Sequence, residues 1–366
     1  MRRVATDGSI PSLRSPSGDL HAVLSDVCCL HFLIHLILSK KEGVLLKGLN
    51  RKVKIFDCDK LHIRSCLFDL IKYFNIEKPD YFISLLDYTN IIASLAHKCS
   101  KSKSKLVIWE HNTLSIHSKE TICKYHYLNN ILIRYFYKRA DRIIAVSKGV
   151  KDDLIAEYNL KKNKIYVIYN PVFNPAIIEN AKIEDNDEEN QNKNFIVAVG
   201  RLAKQKNYFN LIEAYRILME SKNINNMDLV IIGEGPEKNN ILQKINQLKL
   251  NENIMLTGFK SNPFPLMKKS SLVVLSSDWE GLAIVLIEAL ALKKQIVSTD
   301  CPNGPREILD NGKFGLLVPM NSPEKLAEGM AKIIKGEVKF DEALLLRRAK
   351  YFSIEKGFNQ FMEIIH

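Results

Sequence analysis

Residues 276–290 read SSDWEGLAIVLIEAL and carry two carboxylates eight positions apart, Glu280 ahead of a glycine and Glu288 inside an apolar run. If the run GLAIVLIEALAL is helical, the two stand roughly 12 Å apart along the axis. The amides of Gly281, Leu282 and Ala283 then fall at the helix N-terminus. Free N–H groups and the macrodipole there favour an anion such as phosphate. Glu280 is expected to face the same cleft. Glu288, among apolar neighbours, needs a hydrogen-bond donor, and sugar hydroxyls are good donors to a carboxylate. The plainer alternative is that Glu280 caps the helix and Glu288 reaches solvent.

A second cluster lies in FIVAVGRLAKQKN, residues 195–207, where Arg201 and Lys206 follow a strand and precede a helix. Two cations at the carboxyl end of a parallel strand suit a diphosphate. A basic loop with nothing bound fits equally. DLVIIGEGPEKNN, residues 228–240, places Gly233 and Gly235 after a strand, but Lys238 stands where a dinucleotide fingerprint has its third glycine. The pair alone is weak, and Pro236 suits a helix start.

The elements that must position these residues are legible as short apolar, β-branched runs. They are HFLIHLIL (31–38), KVKIFD (52–57), DYFISL (80–85), KLVIWE (105–110), DRIIAVS (141–147), KIYVIY (164–169), FIVAVG (195–200), DLVIIG (228–233), NIMLTG (253–258), SLVVLSS (271–277), QIVSTD (295–300) and GLLVP (315–319). Such runs read as strands buried on both faces. Amphipathic stretches such as NLIEAYRILMES (210–221) fall between them, giving βαβ units. The polar, acidic IEDNDEENQNKN (183–194) separates two series of strands. Two doubly wound parallel α/β sheets facing a cleft are expected, with ligands beyond the carboxyl ends of the strands.

Composition narrows the classes. The 366 residues allow two or three domains, and the net charge of +12 suits an anionic partner without choosing one. The seven cysteines form no C-x-x-C and the nine histidines no H-E-x-x-H, against a disulfide framework or a metal site and in favour of a reducing cytosol. The stretch VCCLHFLIHLILSK (27–40) is too short to span a bilayer and reads as a buried strand rather than a signal peptide. Basic residues are not interleaved with aromatics on one stripe, against a nucleic-acid module. The basic stretch KKEGVLLKGLNRKVK (40–54) is the candidate for peripheral contact with anionic lipid.

Taken together, VGRLAKQKN, LVIIGEGPE, IMLTGF, SSDWEGLAIVLIEALAL, STDCPNGPREIL and GKFGLLVP resemble, in order and spacing, the retaining glycosyltransferases of family 4, the glycosyl transferases group 1 of GT-B architecture. PDYFISLLDYTNIIASLA, EHNT, ADRIIAVSKGVKDDL and YNPV carry the likeness upstream, over roughly residues 40–362. The resemblance implies a hexosyltransferase-type enzyme with a nucleotide-sugar donor, UDP by base rate. It implies a lipid-linked or envelope glycan acceptor, cytoplasmic work on the inner membrane face, and no metal or other cofactor. By the same likeness Arg201 and Lys206 hold the diphosphate, with the amides of Gly281, Leu282 and Ala283. Glu288 accepts from the ribose, Glu280 from the transferred sugar, and Phe259 and Lys260 lie near the base. His111 sits beside the reacting centre. Epimerase and phosphorylase readings lack the paired-glutamate context.

The expected layout is an atypical N-terminal segment at 1–30, an acceptor-side domain at 31–180, a linker at 181–194, a donor domain at 195–350, and a C-terminal helix at 351–366 packing back on the first domain. The family opens with a strand, a glycine-rich turn and a helix. MRRVATDGSIPSLRSPSGDLHAVLSDVCCL has only the isolated Gly8 and Gly18, so the first βα unit reads as atypical or missing. That departure motivates a second expectation, a non-catalytic relative that still binds nucleotide or a partner.

Overall fold

The computed structural model describes residues 2–7, 32–42, 46, 49–122, 126–183, 194–220, 224 and 226–365. The chain forms two compact units. One runs as far as Pro171 and takes back the chain from Gly357; the other is Val172–Lys356. The change of unit thus falls at Pro171–Val172, earlier than the acidic stretch suggested, and residues 184–193 of that stretch lie outside the described residues.

The first unit holds a seven-stranded parallel sheet in the order β3-β2-β1-β4-β5-β6-β7. Its strands are β1 (Arg2–Asp7), β2 (Phe32–Leu38), β3 (Lys54–Asp57), β4 (Tyr81–Leu85), β5 (Lys105–Glu110), β6 (Arg142–Ala145) and β7 (Ile165–Val167). Phe82, Ile83 and Leu106–Trp109 are all but fully buried, as continuous apolar runs covered on both faces require. Its helices include α1 (Leu67–Glu77), α2 (Asp87–Cys99), α3 (His126–Tyr137) and α4 (Lys148–Tyr158).

One strand corrects the sequence reading. The N-terminal βα unit does not lack its strand: Arg2–Asp7 is β1, an inner strand paired in parallel with β2 (Val4 with Ile34) and with β4 (Ala5 with Phe82). Its sequence, RRVATD, has too few apolar residues to announce an inner strand, and pairing on both edges overrides that weak propensity. Residues 8–31, which would hold the glycine-rich turn, lie outside the described residues.

The second unit repeats the topology with six parallel strands ordered β10-β9-β8-β11-β12-β13. These are β8 (Asn194–Val199), β9 (Met227–Ile232), β10 (Ile254–Gly258), β11 (Leu272–Leu275), β12 (Ile296–Thr299) and β13 (Leu316–Val318). The strands pack on α5 (Tyr208–Glu220) and on helix Pro323–Ile334 through Leu211, Tyr215, Leu326 and Met330, all buried. Tyr215 ties its hydroxyl to the Met227 carbonyl at 2.6 Å. The helix after β11 is α6 (Ile284–Ala291). In both sheets the order reverses beside the first strand, between β1 and β4 and between β8 and β11. Loops diverging at such a point leave a crevice beyond the strand ends.

The last helix, α7 (Ile354–Ile365), belongs to the first unit from Gly357 onward. Phe361 stacks on Trp109 with centroids 5.9 Å apart, and the Tyr81 hydroxyl donates to the Ile365 carbonyl. A Cβ on Gly357 would stand 2.8 Å from Pro171 Cβ, so glycine permits the close approach. No helix among the described residues is long and apolar enough to cross a membrane.

Candidate active site

In the second unit the loops leaving β8, β11 and β12 are laced together. Gly200, Arg201 and Leu202 leave β8, then a short turn (Lys204–Lys206) leads into α5. Ser276, leaving β11, donates its hydroxyl to the Lys206 carbonyl at 2.7 Å, and Asp278 N donates to the Gln205 carbonyl at 2.9 Å. The Gln205 amide returns a bond to the Trp279 carbonyl at 2.8 Å, and Asn207 Nδ2 donates to Asp278 Oδ1 at 2.8 Å. Thr299, the last residue of β12, donates to the Ser277 carbonyl at 2.6 Å.

This lacing brings Lys206 and Glu280 into contact. Lys206 Nζ lies 2.6 Å from Glu280 Oε1, and the Ser277 hydroxyl donates to the same oxygen at 2.6 Å. Their side chains are 17% and 7% exposed, so the pair is shielded from the screening that weakens surface ion pairs. Two groups assigned to different parts of a donor are thus one charge-neutral unit. Nearby acids feel the carboxylate: burial first, and then Glu280, push the Tyr208 phenol and the Cys301 thiol well above their usual ranges.

Glu280 does not cap the helix. Residue Ala283 is the N-cap of α6 and makes no side-chain capping bond, and the first helical residue is Ile284. The amides of Gly281, Leu282 and Ala283, expected at the helix N-terminus, belong to the N-cap and the two residues ahead of it. The loop after β12 packs against this segment. Glu280 N donates to the Pro302 carbonyl at 3.2 Å, and Gly304 (φ +85°) lies so close that a Cβ there would stand 3.0 Å from Ala283 N. Sequence reasoning left CPNGPREI as turn chemistry. The positive-φ glycine ahead of a proline at the helix start was the signal that this loop braces the Glu280 loop.

Glu288 is 2% exposed, in a helix whose residues from Val285 to Ala291 are all buried, so it does not reach solvent. Arg201 is exposed, one residue beyond Gly200. Phe259, exposed, and Lys260, half-buried, follow the edge strand β10, roughly 14 Å from β11 at three strand spacings. The Gly233 and Gly235 pair has a packing role. A Cβ on Gly233 would lie 1.9 Å from the Gly200 carbonyl oxygen, and one on Gly235 2.3 Å from that of Leu202. The two loops run so close that Leu202 N donates to the Glu234 carbonyl and Glu237 N to the Leu202 carbonyl, each at 2.9 Å.

In the first unit His111 follows β5 and is buried, its ring stacked on Trp109 with centroids 6.1 Å apart. The residue before it was missed. Glu110 is fully buried and accepts from the Tyr137 hydroxyl at 2.7 Å and from the amides of His111 and Asn112 at 2.9 and 3.0 Å. Asn90 donates to the Tyr137 oxygen at 2.9 Å. Burial first, and then the Asp87 carboxylate, push the Glu110 carboxyl up to about 8 against the pull of its three donors. Leu86, just before Asp87, adopts φ +73°, a strained conformation for a residue with a Cβ. The side chains of α2 and α3 thus set the turn that carries His111. A carboxylate closing a buried strand, as in KLVIWEH, was the available signal.

The comparisons decide the family. The Glycosyl transferases group 1 model matches residues 179–350, and the Glycosyltransferase Family 4 model matches residues 38–173. A Campylobacter jejuni protein, N-acetylgalactosamine-N,N'-diacetylbacillosaminyl-diphospho-undecaprenol 4-alpha-N-acetylgalactosaminyltransferase, is 31% identical over 326 residues, 86% of each chain. The chain belongs to glycosyltransferase family 4. It is a glycosyltransferase of GT-B fold, and each family model covers most of one unit. A capsular polysaccharide biosynthesis glycosyltransferase of Staphylococcus aureus is 26% identical over 90% of this chain and 84% of its own. An Anabaena protein solved in complex with UDP-glucose superposes with a TM-score of 0.80 over 99% of both chains at 17% identity, which speaks to the fold. Relatives of this glycosyltransferase thus build capsule and lipid-linked glycans. Among the described residues no group of three His, Cys, Asp or Glu could hold a metal ion.

Proposed function

We propose that this glycosyltransferase moves a hexosyl-type sugar from a nucleotide-sugar, UDP-linked, to a lipid-linked or envelope glycan acceptor at the cytoplasmic face of the membrane, with retention of anomeric configuration. The observation that carries the reading is the Lys206–Glu280–Ser277 cluster where the strand order reverses. The C. jejuni relative, named for a diphospho-undecaprenol substrate, supports the acceptor class, and the UDP-glucose complex of the Anabaena neighbour supports the donor class.

The bond from the anomeric carbon to the diphosphate breaks as negative charge develops on the leaving group. Arg201 and Lys206 stabilise that charge, and the amides of Gly281, Leu282 and Ala283 add donors. Lys206 then serves both the leaving group and Glu280, which accepts from hydroxyls of the transferred sugar and keeps it oriented as the bond lengthens. Glu288 accepts from the ribose, and Phe259 and Lys260 lie beside the base. The acceptor hydroxyl attacks the same face and gives its proton to the departing phosphate, so His111 positions substrate and no strong side-chain base is needed. Cations and amides do the work a metal ion would do.

The test is thermal unfolding against UDP-, GDP- and ADP-sugars. A ligand at 100 times its dissociation constant adds roughly 2.7 kcal/mol of stability. The expected result is a shift with one base class that disappears in Glu288→Ala and persists with a chelator present. No shift with any of the three, or an unchanged shift in Glu288→Ala, removes the donor assignment.

A further inference from the structure

Three helices form one layer on the first unit, with α2 packed between α1 and α3. Their outward residues break the usual pattern of a soluble surface. Arg64, Phe68, Lys72 and Ile76 recur every four residues along α1 and the turn before it, all exposed, with Phe68 80% and Ile76 64% accessible. On α3, Tyr127 (76%), Leu128 (56%) and Ile131 (62%) are exposed, followed by Arg134, Tyr135 and Lys138. Between them α2 exposes Tyr88 and Lys98, and Lys98 donates to the Tyr135 hydroxyl at 2.8 Å, joining the two helices. The exposed apolar residues of the other unit, such as Phe209, Leu242 and Tyr351, are spread over separate elements.

The exposed charge on the three helices has one sign. Every exposed charged side chain of the three helices is a cation, Lys72, Lys98 and Arg134, while Asp69 and Glu77 are half-buried and Asp87 is buried. Where α1 and α2 end, four lysines, Lys78, Lys101, Lys103 and Lys105, outnumber the single acid Asp80 around a hollow of about 510 Å³. Lys101 N donates to Asn75 Oδ1 at 2.8 Å, fixing that lysine loop to the end of the α1 stripe.

We propose that the outer face of α1, α2 and α3 is a docking surface for an anionic lipid bilayer. Phe68, Ile76, Leu128 and Ile131 enter the acyl boundary, tyrosines sit at headgroup level, and the lysines and arginines meet lipid phosphates. A second copy of the same face would set cation against cation, so complementarity favours lipid over self-association. The inference deepens the proposed function, since a lipid-linked acceptor would be met at such a surface. It also moves the expected membrane contact from residues 40–54 to this helical layer.

The experiment is co-sedimentation of the full chain with vesicles of phosphatidylcholine alone and of phosphatidylcholine mixed with phosphatidylglycerol. Binding to the anionic vesicles is expected to be at least about tenfold tighter and to weaken with salt. The pair Phe68→Ser with Ile131→Ser, and separately the charge reversals Lys72→Glu with Arg134→Glu, should each lower partitioning about tenfold or more. Leu344→Ser in the other unit should not. The nucleotide-sugar thermal shift, read on the same samples, confirms that each variant is folded. Should the apolar pair fail to fold, the charge reversals still decide. Equal binding to neutral vesicles, or partitioning that neither pair reduces, overturns the proposal. A solution dimer dissociated by the same variants overturns it too, by giving the face to a second copy. Vesicle binding without any nucleotide-sugar shift would sink the donor assignment and leave the docking surface standing.

Discussion

The two units hold their functional loops by different means. In Val172–Lys356 the loops approach backbone to backbone at Gly200, Gly233, Gly235 and Gly304, in addition to the side-chain bonds of Ser276, Gln205, Asn207 and Thr299, and the buried pair Lys206–Glu280 is 74 residues apart in sequence. In the other unit the loop after β5 is held by side chains: Glu110 clamps two amides and a phenol, and Asn90 backs the phenol. Backbone crossings admit only glycine, so they leave a mark in the sequence. A side-chain network spread over α2, β5 and α3 leaves only the carboxylate that closes its buried strand. The first arrangement suits a site that must hold a charged pair in place without moving. The second hangs its loop on a carboxyl whose proton is held well above the usual range.

The largest effect should come from breaking a crossing. In Gly233→Ala the new Cβ falls 1.9 Å from the Gly200 carbonyl oxygen at a backbone φ of +154°, so both loops must shift. The expected loss is about 3 kcal/mol or more, with the nucleotide-sugar response lost as well. The chain has two tryptophans, Trp109 in the first unit and Trp279 in the second, both buried. Fluorescence of Trp279→Phe and Trp109→Phe backgrounds therefore follows each unit alone. Destabilisation should register through Trp279; an equal loss through Trp109 would mean that the crossing is not local to its unit.

A smaller effect, on the order of a few kcal/mol at most, tests the side-chain clamp. The folded chain holds the Glu110 proton up to about pH 8, whereas an ordinary carboxyl, value 4.5, loses it in the unfolded chain. Between those values the unfolded state binds fewer protons than the folded one. Stability contributed by this group thus falls as pH rises from about 4.5 to about 8, and the penalty is complete above that. Glu110→Gln removes the ionisation and keeps an acceptor for the two amides. Urea midpoints read through Trp109 should show wild type losing ground to Glu110→Gln as pH rises from about 5 to about 8. Parallel pH profiles for the two proteins would remove the clamp from the comparison.

The same contrast explains what the sequence disclosed. Each of the twelve apolar runs became a strand, β2 to β13, because continuous β-branched stretches have few other ways to be buried. Glu288 was legible because a carboxylate in an oily helix is rare, and Glu280 because it stands eight positions ahead of it, before a glycine. Strand β1 was missed because RRVATD owes its place to the neighbours on both edges. The contact of Lys206 with Glu280 was not legible, since pairing across 74 residues has no local pattern, and the two had been given separate partners. Gly233 and Gly235, too weak a pair for a dinucleotide fingerprint, mark a close approach of two loops. Glu110 stood beside a noticed histidine and was passed over, because its partner Tyr137 lies 27 positions away and Asn90, which backs Tyr137, 47 from that tyrosine.

The smallest expected effect asks whether every loop at a strand end matters equally. Ser147, after β6, is the N-cap of α4: its backbone is extended (φ −154°, ψ 164°) and its hydroxyl accepts from Val150 N at 3.1 Å. The site is fully buried, so no water replaces the lost acceptor. Ser147→Ala should cost about 1 kcal/mol, read as a lower urea midpoint through Trp109. Nothing couples this cap to the Glu280 loop through any contact described above, so the nucleotide-sugar shift should be unchanged. A cap is a local device, worth one hydrogen bond, whereas the crossings and the clamp each set the path of a functional loop. If Ser147→Ala instead weakened the donor response about tenfold, helix ends in one unit would be feeding the other's site. The division into a backbone-held unit and a side-chain-held unit would then have to give way to a single coupled one.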